Sequence, residues 1–146
     1  MNTKTRILIV DDEEIVRRSH MRILASVPCK VEAVRDGQQA LQAMEAESYD
    51  VVLLDLRMPG MDGLTVLKAI KERWPESEIV VITGYPCLDT AKEAIRLGAH
   101  DYLSKPVAPN EVIHATTAAL RQKHWTLRPV HTVNTTTGAP ARGATN

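Results

Sequence analysis

The chain has 146 residues, of which 44% are hydrophobic and 25% charged, and its formal net charge at pH 7 is +0. This composition is ordinary for a single soluble globular domain, and the length leaves little chain for a second core. Zero net charge removes the general attraction of a basic protein for nucleic acid or anionic lipid, although it does not exclude such partners. We expect this chain itself to bind neither nucleic acid nor a membrane.

Short apolar runs alternate with amphipathic segments along the chain. The runs lie at residues 7–10, 31–34, 51–54, 79–82 and 102–103 and predict five strands. Three of them are apolar at every position, as expected for strands that are covered on both faces of a parallel sheet. The second run is weaker and partly alternating, which suits an edge strand.

Between these runs, apolar residues recur at helical spacing and predict five helices. Their predicted inward-facing residues are Val16, His20, Ile23, Leu24 and Val27; Ala40, Leu41 and Met44; Val66, Leu67, Ile70 and Trp74; Ala91, Ala94 and Ile95; and Ile113, Thr117 and Leu120. Asp36 with Gln39 predicts a capping box for the second helix, and Asn110 is the predicted N-cap of the fifth. Pro75 and Gly98 are placed to end the third and fourth helices.

Five strands that alternate with five helices predict an α/β fold with a parallel sheet wrapped on both faces. Right-handed crossovers leave few topologies, and the flavodoxin-like doubly wound sheet of order 2-1-3-4-5 is favoured. The periodic pattern dissolves after about Lys123. We therefore predict one domain over residues 1–123 and a disordered tail or linker, rich in Thr, Pro, Gly and Ala, over residues 124–146.

The sequence also indicates a compartment. The first six residues are polar, and no apolar run approaches the roughly 18 residues of a membrane span. Cys29 and Cys87 fit no zinc-binding or C-x-x-C spacing, and free thiols are typical of a reducing compartment. These observations predict a soluble, cytoplasmic protein.

Polar residues follow four of the predicted strands. Asp11 and Asp12 follow the first strand, Asp55 the third, Thr83 the fourth and Lys105 the fifth. Each alone has an ordinary explanation, such as a helix N-cap for an aspartate. The carboxyl ends of parallel strands form one ligand-binding edge, however, so three carboxylates are expected to converge there. A divalent cation would relieve their repulsion, all-oxygen ligands favour Mg²⁺, and the set suits transient phosphoryl chemistry.

The segments around these positions are IVDDE (residues 9–13), LLDLRMPGMDG (53–63), VITG (81–84) and GAHDYLSKP (98–106). Together they resemble the signature segments of response-regulator receiver domains, and the resemblance extends from about residue 6 to residue 123. It implies a receiver fold and a part in two-component phosphorelay signal transduction. Residues 81–106 resemble receivers attached to transcription regulators of the nitrogen-regulation type, which favours transcription regulation as the output.

The resemblance implies chemical roles for the acidic residues and for Lys105. Asp55 would be the phosphoacceptor, taking a phosphoryl group from a sensor histidine kinase or a phosphotransfer protein. Lys105 would pair with a phosphoryl oxygen. Asp12, Asp55 and the backbone carbonyl of Arg57 would bind Mg²⁺, with Asp11 acting mainly through a bound water.

The resemblance also implies a conformational switch. Thr83 would hydrogen-bond the phosphoryl group, and Tyr102 would then turn inward. Helix four, strand five and helix five would form the readout surface and a possible homodimer interface. Gly84 and Pro106 would support the phosphate-binding loops, and the bond before Pro106 is typically cis in this family.

Three other functions fit the residues less well. A Mg²⁺-dependent phosphohydrolase with an aspartyl nucleophile would require a D-x-D motif. Here Asp55 is followed by Leu56 and Arg57, so the second acid of that motif is missing. A flavin or nucleotide binder would want a glycine-rich loop after strand one, where residues 11–14 are acidic instead. A phosphorylation-independent scaffold would not need the intact acidic set. We therefore expect a signalling module that catalyses only its own phosphorylation and dephosphorylation, either alone or as part of a larger regulator.

Overall fold

The structure is a computed structural model that describes residues 5–126. Five strands alternate with five helices: β1 (Arg6–Val10), α1 (Glu14–Leu24), β2 (Lys30–Val34), α2 (Gly37–Ala46), β3 (Val51–Leu54), α3 (Gly63–Arg73), β4 (Glu78–Thr83), α4 (Leu88–Arg96), β5 (Asp101–Ser104) and α5 (Pro109–Thr126). All strand pairings are parallel. The sheet order is β2-β1-β3-β4-β5, so the predicted fold class and strand order are confirmed.

The central strands separate two hydrophobic cores. Successive residues of a strand face opposite sides of a sheet. In β1, Leu8 and Val10 pack in the core that α2, α3 and α4 cover, whereas Ile7 and Ile9 pack in the core that α1 and α5 cover. None of these four side chains is more than 1% exposed. Because both faces are covered, the strand is apolar at every position.

The structure contains the predicted N-cap of α2 at Asp36 and the predicted glycine, Gly98, at the end of α4. The Asp36 side chain accepts a hydrogen bond from the Gln39 N–H at 2.9 Å. The Gln39 side chain reaches back to the N–H of Arg35 at 3.0 Å, one residue before the position that a capping box uses. Gly98 follows α4 with a φ of +111°, a conformation that a glycine adopts without strain.

The predicted N-cap of α5 was wrong. The helix begins at Pro109, so Asn110 lies inside its first turn. Proline suits the first helical position because its φ is already helical and its missing N–H would have no helical partner there. The side chain of Glu111 instead accepts a hydrogen bond from the N–H of Ala108, the residue before the helix, at 2.8 Å.

The buried faces of α4 and α5 also differ from the prediction. Over residues 109–123 of α5, for which burial is described, the buried residues are Val112, Ala115, Thr116, Ala119 and Lys123. The predicted Ile113, Thr117 and Leu120 are only half-buried. In α4, Ile95 is 50% exposed, and Ala94 is the buried residue. Small residues allow both helices to lie close to the sheet, and the larger side chains are left at the margins.

The far end of α5 is fixed to the amino edge of the sheet. Lys123 Nζ lies 2.7 Å from Asp50 Oδ1, just before β3. The other Asp50 oxygen accepts a hydrogen bond from the N–H of Arg6, the first residue of β1, at 2.8 Å. One carboxylate therefore joins α5, β1 and β3 at the edge opposite the strand ends that carry Asp11 and Asp55.

The backbone of α5 continues to Thr126, three residues past the predicted domain boundary. Most of the predicted disordered tail, residues 127–146, lies outside the described residues. Among residues 5–126, no helix has the length and apolar character needed to cross a membrane.

Candidate functional site

A pocket of about 540 Å³ opens at the carboxyl edge of the sheet. Its lining residues are Asp12, Glu13, Asp55, Arg57, Met58, Pro59, Gly84, Tyr85 and Lys105. Carboxylate oxygens of Asp11, Asp12 and Asp55 all lie within 4.8 Å of one another. The structure thus brings together the three carboxylates that the order of the strands predicted.

Asp55 lies at the end of β3 and is only 5% exposed. Its backbone N–H donates to the Val10 carbonyl at 2.9 Å, which continues the pairing with β1. Its Oδ1 accepts a hydrogen bond from the Arg57 N–H at 3.3 Å. Burial, followed by repulsion from Asp11, raises the pKa of the Asp55 carboxyl above its ordinary value, and Lys105 only partly opposes this rise.

The raised pKa of Asp55 has a consequence for stability. A carboxyl whose pKa is higher in the folded than in the unfolded chain destabilises the fold wherever it is ionised. Without divalent cations, we expect Asp55→Asn to raise the thermal unfolding midpoint at neutral pH. The difference should shrink as the pH falls to values at which Asp55 is protonated. Differential scanning calorimetry from pH 4 to pH 8 tests this, and an unchanged or lower midpoint at neutral pH would contradict it.

Asp11 is buried beside the residues that line the pocket, 2% exposed. Its Oδ1 accepts a hydrogen bond from the Glu13 N–H at 2.9 Å, and its Oδ2 accepts one from Lys105 Nζ at 2.8 Å. The Arg17 guanidinium donates to its backbone carbonyl at 2.8 Å. The bonds from Glu13 and Lys105 orient the Asp11 carboxylate, while the neighbouring Asp12 is exposed at the pocket mouth.

Lys105 is the cation that faces the buried carboxylates of Asp11 and Asp55. Its Nζ lies 2.8 Å from Asp11, 3.5 Å from Asp55 and 3.8 Å from Glu13. Burial lowers its pKa, but the hydrogen bond and charge of Asp11, together with Asp55, outweigh burial, so that the pKa is raised overall. The ammonium therefore stays charged and is shared between two buried carboxylates.

Thr83 and Gly84 form the wall beside Lys105. Thr83 is 1% exposed; its hydroxyl accepts a hydrogen bond from the Tyr85 N–H at 3.2 Å, and its carbonyl accepts one from the Lys105 N–H at 2.8 Å. Gly84 faces the pocket, and a Cβ there would meet Lys105 Cδ at 3.8 Å, an ordinary contact. The Lys105–Pro106 peptide bond is cis, and Pro106 is exposed.

Tyr102 lies on β5, away from the acidic cluster. Its side chain is half-buried and packs at the margin of the core beneath α4. Its hydroxyl accepts a hydrogen bond from the Cys87 N–H at 3.4 Å, in the turn that leads into α4. The two predicted switch residues, Thr83 and Tyr102, therefore contact opposite ends of the β4–α4 connection.

Arg57 and Tyr85 cover one side of the pocket mouth. The Arg57 guanidinium carbon lies 4.1 Å from the centroid of the Tyr85 ring, a cation–π contact. The sequence motifs placed Arg57 at the site, but its contact with Tyr85 was not predicted. Glu13 was also missed as a neighbour of Lys105, although its place directly after the two aspartates was a usable signal.

The donor set fits a hard divalent cation. Asp11, Asp12 and Asp55 offer only oxygen ligands, and Mg²⁺ prefers one or two carboxylates while it keeps several waters. One face of the pocket remains open for those waters or for a phosphoryl group. Arg57, whose carbonyl was predicted as a further ligand, lines this same pocket.

A doubly wound sheet of this strand order, with an acidic pocket and a lysine at its carboxyl edge, is the architecture of signal receiver domains. The family model of the response regulator receiver domain matches residues 7–117. The chain therefore belongs to the response regulator receiver family, as its sequence motifs predicted.

Known relatives and structures agree with this assignment. The chain is 39% identical over 105 residues to the DNA-binding transcriptional regulator NtrC of Escherichia coli, covering 72% of this chain and 22% of NtrC. It is 35% identical to the transcriptional regulatory protein FixJ of Bradyrhizobium diazoefficiens, covering 84% of this chain and 60% of FixJ. The receiver domain of NtrX from Brucella abortus superposes with a TM-score of 0.75 at 35% identity, covering 79% of this chain and 98% of that domain. The chain thus spans only part of the length of either regulator.

Proposed function

We propose that this chain is a phosphoacceptor receiver that takes a phosphoryl group onto Asp55 and changes conformation in response. The observation that supports this most directly is the position of Asp55. Its carboxylate is buried at the end of β3, beside two further aspartates, and Lys105 Nζ lies 3.5 Å away. A nucleophile, a cation and an open oxygen-ligand set share one pocket, which is what phosphoryl transfer requires.

The donor we infer is the phosphohistidine of a sensor histidine kinase or of a phosphotransfer protein. An Asp55 oxygen attacks the phosphorus, the phosphorus–nitrogen bond breaks, and its electron pair returns to the donor imidazole. The product is an acyl phosphate on Asp55. Lys105 neutralises the charge of the equatorial phosphoryl oxygens, a role for which a single point charge is sufficient.

A bound Mg²⁺, when present, would neutralise the crowded carboxylates and the incoming phosphoryl group. The residues that would hold it are Asp12, Asp55, the Arg57 carbonyl and, mainly through water, Asp11. Gly84 and Pro106 would shape the two loops beside the phosphoryl group. Hydrolysis by water returns the receiver to its starting state, so no turnover on an external substrate is involved.

The proposed switch runs from Thr83 to Tyr102. The Thr83 hydroxyl, which accepts a hydrogen bond from the Tyr85 N–H at 3.2 Å, would donate its proton to a phosphoryl oxygen, and its turn toward that oxygen would disturb the bond to Tyr85. A shift of the β4–α4 connection would disturb the hydrogen bond between Cys87 and Tyr102. The surface that changes would be α4, β5 and α5, which is also the proposed homodimer interface. NtrC and FixJ are both named as transcriptional regulators, and this similarity favours transcription regulation as the output that the α4–β5–α5 surface would control.

Intact-mass spectrometry after incubation with acetyl phosphate tests the proposal. We expect wild type to gain one phosphoryl group in the presence of Mg²⁺, but not in EDTA. Asp55→Asn should gain none, because an amide oxygen is a poor nucleophile. Asp62→Asn, an exposed aspartate in the following loop, is the matched control and should behave as wild type. An adduct on Asp55→Asn, or none on wild type with any donor, would contradict the proposal.

The Arg57–Tyr85 contact is expected to lengthen the lifetime of the acyl phosphate, because the stacked pair restricts the approach of water to the phosphorus. We expect Arg57→Ala and Tyr85→Ala each to accelerate dephosphorylation several-fold, by removing the 4.1 Å contact. The double variant should be little faster than either single variant, since both lose the same contact. Decay of the adduct by mass after removal of the donor measures this, with Arg18→Ala as the control. Unchanged decay in both single variants would contradict the expectation.

A further inference from the structure

Glu13 occupies the N-cap position of α1, but its side chain makes no capping hydrogen bond. Short polar side chains are preferred at this position, because they reach the free N–H groups of the first turn. A negative charge near the start of a helix is favourable, yet Glu14 already supplies one in the first turn of α1. The helix therefore gives little reason for a glutamate at residue 13.

The Glu13 side chain belongs to the acidic pocket instead. Its Oε1 lies 3.8 Å from Lys105 Nζ, and the side chain lines the same pocket as Asp55. The Glu13 N–H donates to Asp11 Oδ1 at 2.9 Å, which fixes the backbone that carries the side chain. The side chain is 65% exposed, so its charge faces the solvent from which a phosphodonor arrives.

The cations of the pocket do not cancel the charge of Glu13. The Lys105 ammonium bonds to Asp11 at 2.8 Å and lies 3.5 Å from Asp55, so both buried carboxylates are nearer to it than Glu13 is. Arg57, the other cation that lines the pocket, contacts an aromatic ring. A bound Mg²⁺ would offset the aspartates that hold it, and Glu13 is not one of them. The Glu13 carboxylate therefore adds negative charge at the pocket mouth.

Phosphodonors are anions that differ in charge. At neutral pH acetyl phosphate is doubly charged, whereas phosphoramidate, which is protonated on nitrogen, is singly charged. A phosphoryl group that bonds to Lys105 would lie no more than about 7 Å from the Glu13 carboxylate, the sum of the 3.8 Å contact and one hydrogen bond. In water at that distance, repulsion between two unit charges slows entry of the donor about threefold before screening by salt.

We propose that Glu13 is a specificity-determining residue that selects against small, doubly charged phosphodonors. Its carboxylate repels each negative charge of a free donor that enters the pocket. A phosphohistidine on a partner protein meets the same carboxylate, but contacts elsewhere between the two proteins offset the repulsion. The inference rests on the proposed function, because it concerns only the donor that phosphorylates Asp55.

The rate of adduct formation per unit donor concentration, followed by intact mass at saturating Mg²⁺, tests the role of Glu13. At an ionic strength of about 0.03 M most of the repulsion is unscreened. Under this condition we expect Glu13→Gln, which keeps the shape of the side chain, to react about fourfold faster than wild type with acetyl phosphate and about twofold faster with phosphoramidate. At about 1 M salt the Debye length falls to about 3 Å, and both ratios should approach one.

Glu14→Gln is the matched control. It makes the same change of charge at the next residue, whose carboxylate lies 3.3 Å from Arg18 and does not line the pocket. Both donors should phosphorylate this variant at nearly the wild-type rate. Rates of Glu13→Gln that do not exceed those of wild type, or that increase equally with both donors at both ionic strengths, would overturn the inference and leave the proposed function standing. A wild type that forms no adduct on Asp55 with either donor would overturn both.

Discussion

Replacing Lys105 by methionine is expected to slow formation of the acyl phosphate about 100- to 1000-fold, the usual effect of removing one buried group that stabilises transition-state charge. Methionine keeps much of the length of the lysine stem, so the pocket should retain its shape. The lost ammonium would leave Asp11 and Asp55 without the cation that lies 2.8 Å and 3.5 Å from them. The rate of adduct formation with acetyl phosphate and Mg²⁺, followed by intact mass, measures the effect.

Lys123→Met is the matched control for this loss. Lys123 is also a largely buried lysine, held 2.7 Å from the carboxylate of Asp50, but it lies at the opposite edge of the sheet. We expect its removal to lower stability and to leave the rate of adduct formation near that of wild type. A similar rate loss in both variants would show that Lys105 acts through stability alone, and a normal rate in Lys105→Met would exclude it from the phosphoryl-transfer step.

The second large effect is expected at Gly63, the first residue of α3. A Cβ at this position would lie 2.4 Å from Leu56 Cα and 2.7 Å from the Leu56 carbonyl oxygen. Both are backbone atoms of the segment that follows Asp55, so neither can move without displacing the pocket wall. We expect Gly63→Ala to lower the free energy of unfolding by about 3 kcal/mol, near the upper end of overpacking effects.

Gly60→Ala provides the comparison for this effect. Gly60 lies in the same loop with a φ of +85°, and a Cβ there would meet nothing within 4 Å. Its cost is therefore backbone strain alone, which we expect to be about 1 kcal/mol. Urea denaturation of both variants and wild type measures the two differences. A smaller loss for Gly63→Ala than for Gly60→Ala would contradict the close approach of α3 to Leu56.

The sequence predicted the strands more accurately than the buried faces of the helices. The reason is that apolar runs mark the strands clearly, whereas the buried residues of the helices are often small. Residues 51–54 are apolar without interruption because both sides of β3 are buried, and the predicted and observed bounds of that strand agree. In α5 the buried positions are mostly alanine and threonine, while Ile113 and Leu120 lie at the edge of the packed face. A prediction that places the largest apolar residues on the inward face of the helix therefore gives a face that is rotated about the helix axis from the observed buried face.

The site was predictable as a set of residues but not as a set of contacts. Strand order brings Asp11 and Asp55 to one edge, and this follows from the alternation of elements along the chain. The bond from Lys105 to Asp11 spans 94 positions and depends on the path of the connection after β5. The buried Nδ1 of His20, which has no hydrogen-bond partner among the described residues, was equally invisible, since helical spacing identifies an inward-facing residue but not its hydrogen bonds.

The attachment of Lys123 to Asp50 bears on which part of α5 would move when the conformation of the pocket changes. Helix α5 begins four residues after Lys105 and has 18 residues, so it spans about 27 Å from one edge of the sheet to the other. Because its last turns are held at the amino edge, we expect a displacement of the Lys105 loop to tilt the helix about a fixed end instead of shifting it along its axis. The start of α5 would then move most, and a partner bound beside Pro109 would experience a larger change than one bound beside Lys123.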